Sequence, residues 1–356
     1  MTGPRFSRRH ILKASTAAAI SAFAPAAKVM AAAPPATAIT PQLVEAARKE
    51  GKVVYYTSID LPIAERIAKS FEAKYPGIAV RVERTGAERV FQRIGQEYSS
   101  RIYAVDVVNS SDAAHFIVWK REGMLQPFLP EDVARHYKPE QMDPDGEFAG
   151  FRVGLSVIAY NTNLVKREDA PKSFADLLDP KWAGKIVKAH PGYSGTIMTA
   201  TYEISRDLGW EYLEKLARQR VMQVQSASDP PKKLDLGERA VQADGNEYNL
   251  LQIKERNGPV EIVYPTEGVP FIVGPNGIFK NAPNPNAARL FQCYCFTPEC
   301  QQLVVDFGKL RSLHALVKET DGRKPFREIK TMKEDPAAVE KLGEQIKARY
   351  SKLFGV

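Results

Sequence analysis

The chain has 356 residues, 44% of them hydrophobic and 26% charged, with a formal net charge of +8. That length allows two domains of ordinary size, and the composition excludes collagen-like, disordered and coiled-coil classes. Residues 1–31 hold Arg5, Arg8, Arg9, Lys13 and Lys28 and no acid. Without those five, the 50 basic residues become 45 against 42 acidic, which gives a nucleic-acid partner little electrostatic support.

The first 38 residues read as an export signal. A basic start leads into a weakly apolar Ala-rich middle and then small residues. The middle is too short and too weakly apolar for a membrane span, and Lys13 and Pro25 interrupt it. SRRHILK resembles the twin-arginine export motif: Ser7, Arg8, Arg9 and Leu12–Lys13 stand in place, with Ile11 where Phe is common. Cleavage is expected after Ala31 or Ala38. No cysteine lies near either point to carry a lipid. The twin-arginine translocase is therefore the expected export partner, and the periplasm the expected destination.

From Thr40–Pro41 the pattern alternates. Pro41–Glu50 is a predicted helix with Thr40 as its cap and Gly51 as its stop. A strand over 52–58 precedes a helix over 61–77, with Ile63, Ile67, Phe71 and Tyr75 on one side. A strand over 78–86, a helix over 87–101, a strand over 104–111 and a helix over 112–123 follow. This alternation predicts a parallel sheet with helices on both faces. Ligands of such sheets sit beyond the carboxyl ends of the strands. Here those ends are Thr57–Ser58, Arg84–Thr85–Gly86 and Ser110–Ser111–Asp112.

Residues 124–148 are Pro-rich and read as irregular. GFRVGLSVIAYNTNLV, 150–165, reads as one long strand. A second unit begins at SFADLLDPKWAGKI: a strand over 185–189, a helix from near Ser194, a helix over 210–220, a loop over 222–230, a mixed block over 236–258 and a strand over 260–268. A strand over 270–282 and two helices lead to a charged tail, 319–356, that ends in a helix. The expected division is a first lobe of 39–150 plus 270–318, a second of 151–269, and a helical tail of 319–356. Two strand crossings make a hinge over a cleft.

HPGYSGT, 190–196, admits two readings. Gly192 and Gly195 let backbone approach a ligand closely, and Ser194 and Thr196 add hydroxyls at a helix start, as an anion site needs. The same residues also suit an ordinary capped turn. His190 reads as a structural strand-end residue. Cys293, Cys295 and Cys300 allow at most one disulfide. A helix points Cys293 and Cys295 to different faces, so all three read as small buried hydrophobes. GYSGT lacks the second glycine of a hydrolase elbow, Thr196 standing there. No P-loop, dinucleotide or zinc spacing occurs, so neither an enzyme nor a cofactor is expected.

Taken together, YYTS, RTG with Arg93 and Glu97 in the next helix, DVVNSSD, KREGMLQPF, GLSVIAYNTNLV, SFADLLDPKWAGKI, HPGYSGT, GERAVQADGNEY, YPTEG and NPNAARLF resemble a known family. It is the periplasmic solute-binding proteins of ABC importers (extracellular solute-binding family 1), in the ferric-iron-binding-like branch. The resemblance spans most of residues 50–318. It implies an α/β, two-lobed periplasmic-binding-protein fold of type II, with two α/β domains joined by a two-strand hinge around a ligand cleft. It also implies a permease and an ATPase as membrane partners, and it favours the anion reading of HPGYSGT.

Iron-binding members use a tyrosine pair with His and Glu. Here the pair falls on Glu247–Tyr248, the histidine near Ile59–Asp60, and the glutamate on Ser111 beside Asp112. Asp60, Glu247 and Tyr248 still offer oxygen to a ferric ion, but Arg84 at the same mouth repels a cation. An anionic organic solute is therefore the expected ligand, a carboxylate, phosphonate or phosphate ester. Ferric ion, with a synergistic anion, is the alternative, and a solute sensor for a membrane receptor a further one. Tyr56, Tyr160, Tyr193, Tyr248 and Tyr264 are expected to line the pocket, with Tyr56 preferred to Tyr55. Ser226 and Ser228 are candidate donors from another loop.

Overall fold

Thr40 caps the first helix as its neighbours require: its hydroxyl accepts from Leu43 N–H at 3.2 Å, and Gly51, at φ 73°, ends the helix. The computed structural model describes residues 33–356, so residues 1–32 of the export signal expected over 1–38 lie outside the described residues. The chain runs α1 (Pro41–Glu50), β1 (Lys52–Thr57), α2 (Leu61–Lys74), β2 (Ala79–Arg84), α3 (Ala87–Ser99), β3 (Val107–Asn109), α4 (Ala113–Arg121), α5 (Glu131–His136), β4 (Phe148–Leu155) and β5 (Ile158–Asn161). It continues with β6 (Ile186–Ala189), α6 (Gly195–Asp207), α7 (Trp210–Ala217), β7 (Met222–Val224), α8 (Asp229–Asp235), β8 (Val241–Gln242), α9 (Glu247–Glu255) and β9 (Val260–Val263). The last elements are β10 (Phe271–Ile278), α10 (Pro285–Cys295), α11 (Pro298–Asp306) and α12 (Pro336–Phe354).

Two five-stranded sheets result, ordered β2-β1-β3-β10-β4 and β7-β6-β8-β5-β9. Neither is purely parallel, as the alternation had suggested. β1 runs parallel to β2 and β3, but β10 is antiparallel to β3 and β4. In the second sheet β6 is parallel to β7 and β8, and β5 is antiparallel to β8 and β9. The strands returning through the hinge supply the antiparallel members.

The strand expected over 150–165 is two strands in two sheets. β4 pairs with β10 from Phe148 to Leu155, and β5 pairs with β9 from Ile158. A division at 150/151 therefore cuts β4; the chain leaves the first sheet only after Leu155. It returns between Val263 and Phe271. The loop expected over 222–230 contains β7 and the start of α8, and the irregular 124–148 stretch contains α5. The tail is not a separate body, because α12 packs on α4, α6 and α7.

Each lobe has its own apolar core. Phe71, Phe291 and Tyr294 centre the first, and Phe174, Trp182 and Leu213 the second. Cys293, Cys295 and Cys300 are buried and unpaired. β3 covers only Asn276–Ile278 of β10. Beyond that point side-chain carboxyl groups stand in for the missing strand: Phe271 N–H donates to Glu203 at 2.9 Å and Val273 N–H to Glu334 at 3.0 Å. Among the described residues no helix is long and apolar enough to cross a membrane.

Candidate functional site

The carboxyl ends of β1, β2 and β3 point toward the second lobe and enclose with it a cavity of about 220 Å³. From the first lobe come Ser58, Asp60, Arg84, Thr85, Gly86, Ala87, Arg89 and Ser111. Gly86 begins α3 without a side-chain cap, so first-turn N–H groups of that helix remain free for a ligand. A β-carbon on Gly86 would stand 2.9 Å from the Tyr193 carbonyl of the opposite lobe, which is why glycine is required there.

From the second lobe come Tyr193, Ser194 and Thr196 at the start of α6, then Gln225, Ser226, Ala227 and Asp229, then Asn246 and Tyr248. Ser194 caps α6, its Oγ accepting from Ile197 N–H at 3.4 Å. His190 Nδ1 accepts from Gly192 N–H at 2.9 Å, the structural strand-end role expected of it. Gly195 does not line the cavity. Its backbone meets the first lobe, where a β-carbon would stand 2.6 Å from Cβ of Asp112. Ser226 Oγ and Ser228 Oγ are 2.9 Å apart; Ser226 lines the cavity and Ser228 does not.

Sequence reasoning missed Arg152. It stands in mid-β4, is 4% exposed, and reaches the cavity wall. Its Nε donates to Asn109 Oδ1 at 3.2 Å and its Nη2 to Ser58 Oγ at 3.4 Å; among the described residues no carboxylate pairs with it. Burial pulls its pKa below the usual arginine value. The available signal was a lone charge inside the apolar run GFRVGLSVIAY. Arg89, Gln225, Asp229 and Asn246 carried no such signal.

Arg84 sits at the mouth as expected. Its Nε donates to the Ile59 carbonyl and its Nη2 to Asp60 Oδ1, both at 3.2 Å. Asp60 Oδ2 also accepts from Asn249 Nδ2 at 2.8 Å. Asp229 Oδ2 accepts from Ser226 N–H at 2.8 Å. Three arginines thus meet two aspartates, both of which have partners.

Several expected residues lie elsewhere. Tyr56 donates to Glu97 at 2.9 Å under the Arg93 guanidinium, and Tyr55 is in the first-lobe core. Helices cover both faces of β1, so its alternation chooses between two cores and not between core and cleft. Tyr160 is in the second-lobe core. Ser110 Oγ accepts from Asp112 N–H at 3.2 Å, and Asp112 caps α4 by accepting from Ala114 N–H at 3.0 Å.

The ferric set is not assembled. Glu247 is 1% exposed and saturated: Arg311 donates at 2.8 and 3.2 Å, Arg323 at 2.6 Å, and Tyr264 through its hydroxyl at 2.6 Å. Burial alone would raise its pKa, but the two arginines reverse that and hold it low. Tyr264 is thereby withdrawn from the cavity too. Tyr248 remains at the wall, but burial pushes its phenol well above its usual pKa, so it stays protonated. Of the two carboxylates expected to hold a ferric ion, Asp60 and Glu247, only the arginine-paired Asp60 lines the cavity; the other lining carboxylate, Asp229, is taken up by the Ser226 N–H.

A family model described as bacterial extracellular solute-binding protein matches residues 105–327. The chain is a bacterial extracellular solute-binding protein. The two-lobed fold recurs in solved structures. The periplasmic binding protein AfuA from Actinobacillus pleuropneumoniae, with exogenous fructose-6-phosphate bound, superposes with a TM-score of 0.79 at 22% identity, over 86% of this chain and 99% of AfuA. Iron-bound HitA from Pseudomonas aeruginosa gives 0.73 at 22% identity, over 84% and 99%. A Salmonella typhimurium periplasmic protein, provisionally named 2-aminoethylphosphonate-binding, is 29% identical over 162 residues, 42% of this chain and 46% of that relative. Solute-binding proteins of this family work in the periplasm as capture subunits of ABC importers, alongside a permease and an ATPase. They serve transport and are not enzymes.

Proposed function

We propose that this solute-binding protein captures a small anionic organic solute, a carboxylate, phosphonate or phosphate ester, between its lobes for import. The observation that carries this reading is Arg152, a buried guanidinium at the cavity wall with no carboxylate partner among the described residues. A buried charge needs a counter-charge, and a solute anion supplies it. Arg84 and Arg89 add to the same field, and the starts of α3 and α6 bring free backbone donors from opposite sides. The cavity, about 220 Å³, falls below the roughly 300–1,000 Å³ of sites for drug-sized ligands, which favours a solute of few atoms. The phosphorylated and phosphonate ligands named for AfuA and for the Salmonella relative belong to the same chemical class. Export through the twin-arginine translocase is part of this reading, supported by Ser7, Arg8 and Arg9.

The test is a thermal-shift panel on protein unfolded and refolded to remove carried solute. It includes small phosphonates, phosphate esters, di- and tricarboxylates, and ferric citrate beside citrate alone. Binding raises Tm by mass action, and one organic anion is expected to do so strongly. A shift with ferric salts and none with any organic anion would overturn the reading. Calorimetry on the best compound then gives affinity.

A further inference from the structure

α12 belongs to neither sheet and touches both lobes. Toward the first lobe, Lys347 Nζ donates to Glu88 Oε2 at 2.8 Å, and Glu340 pairs with Arg121 of α4 at 2.7 Å. Toward the second, Tyr350, which is fully buried, donates to Gln223 Oε1 at 2.8 Å, and Ser351 Oγ lies 3.1 Å from His190 Nε2. Val339 and Ile346 of the same helix share one apolar cluster with Ala114 of the first lobe and Met198 and Tyr202 of the second.

Two of these contacts fall directly behind the cavity. Glu88 lies in the first turn of α3, two residues after the cavity-lining Gly86. His190 opens the loop that leads to the cavity-lining Ser194. The two helix starts that face each other across the cleft are therefore held from outside by one helix. That helix has 19 residues and spans about 28 Å at 1.5 Å per residue. The Lys347–Glu88 pair is sheltered as well as close: burial alone would raise the Glu88 pKa, but His115 and Lys347 hold it at about 2, so it stays charged at neutral pH.

We infer that α12 is a strap across the two lobes that sets their resting separation, with Lys347 and Tyr350 as positioning residues that act on the cleft without touching solute. The hinge strands allow the lobes to bend, and the strap limits how far they part. This goes beyond the identity of the solute and does not depend on it. A part-buried ion pair contributes about 1 kcal/mol, so cutting one end should raise the population of the wider-spaced form about fivefold. The two ends act in series, so cutting both should do little more than cutting either.

The experiment is pulsed electron double resonance on ligand-free full-length protein labelled at Lys69→Cys and Lys166→Cys, exposed positions in the first and second lobes. The native cysteines are at most 3% exposed and compete little for label. Lys347→Met and Tyr350→Phe should each lengthen the inter-lobe distance, and their combination should match the larger single effect. Lys347→Arg should restore the native distribution. Glu340→Gln, which leaves buried Glu88 paired, serves as the first-lobe cut if Lys347→Met does not fold. Unchanged distances in the single variants, a change from one end only, or additive changes would each overturn the strap.

Discussion

Gly274 and Arg152 are partners across β10 and β4, and a β-carbon on Gly274 would stand 3.0 Å from Cγ and 3.1 Å from Cζ of Arg152. The bare backbone lets the guanidinium lie over β10 and reach Asn109, whose Nδ2 in turn donates to the Gly274 and Pro275 carbonyls at 3.3 and 2.8 Å. Gly274→Ala should push Arg152 out of this path. Overpacking of this kind costs about 1–3 kcal/mol. The expected result is a folded protein with a lower Tm and an affinity for the identified solute weakened about tenfold or more, by calorimetry. Unchanged affinity would show that Arg152 reaches the solute by another route, or not at all.

Arg152→Met should separate binding from stability. Removing the guanidinium takes away the counter-charge of the solute, and affinity should fall at least about a hundredfold, as for a buried charged contact. It also removes an unpaired buried charge from the solute-free protein. The ligand-free Tm should therefore hold or rise, because apolar replacement of buried charge is often neutral or stabilising. Parallel melts with and without solute check both halves. A large fall in ligand-free Tm would mean that Arg152 holds the fold.

The carboxyl groups that cap β10 make stability depend on pH. Burial pushes the Glu203 pKa up to about 9 and that of Glu334 to about 8, from 4.5 for both. Each therefore keeps its proton in the folded protein over a range in which the unfolded chain has lost it. The stabilisation is complete below about pH 4.5 and declines as pH rises toward 8 and 9. Glu203→Gln keeps an acceptor for Phe271 N–H without this liability. Its Tm should match the native protein near pH 5 and exceed it by a growing margin toward pH 9. Glu334 should leave a residual slope. A constant difference across the range would show that Glu203 is ionised in the fold.

Lys188 and Asp244 form an ion pair in the second lobe in which each side chain is 1% exposed. Tyr350 of α12 lies over the Lys188 ammonium at 5.0 Å. Lys188→Met strands the Asp244 carboxylate and should cost about 3–5 kcal/mol. Adding Asp244→Asn should recover much of that loss, since the stranded charge causes most of it. Denaturant melts of both variants measure the difference; equal stabilities would mean that lost packing is the main cost.

Export can be examined apart from the fold. Residues 1–40 fused to a reporter should deliver it to the periplasm, and Arg8→Lys with Arg9→Lys should stop delivery. Export that persists in the double variant would exclude the twin-arginine route.

Much of the architecture was legible because it rests on local rules. Thr40, Pro41 and Gly51 bracket α1, and Ser194 caps α6, through contacts three or four residues apart. The strand ends that reach the cavity, Ser58, Arg84 to Gly86 and Ser111, follow from alternation alone. Where a prediction needed distant chain segments it went astray. GFRVGLSVIAYNTNLV is apolar on both sides of its midpoint, and nothing within it shows that Leu155 and Ile158 belong to different sheets.

By itself the sequence determined two α/β lobes, the crossings between them, and a polar mouth with glycine-rich helix starts. These depend on hydrophobic period, caps and turns, whose causes lie within a few residues. Only the tertiary structure decided which charges the cleft retains. Glu247 is consumed by Arg311 and Arg323, which stand more than sixty positions away, while Arg152 reaches the cleft with no carboxylate paired to it among the described residues. The availability of a buried charge depends on which partners the fold brings within hydrogen-bonding distance, and those partners come from chain segments remote in sequence.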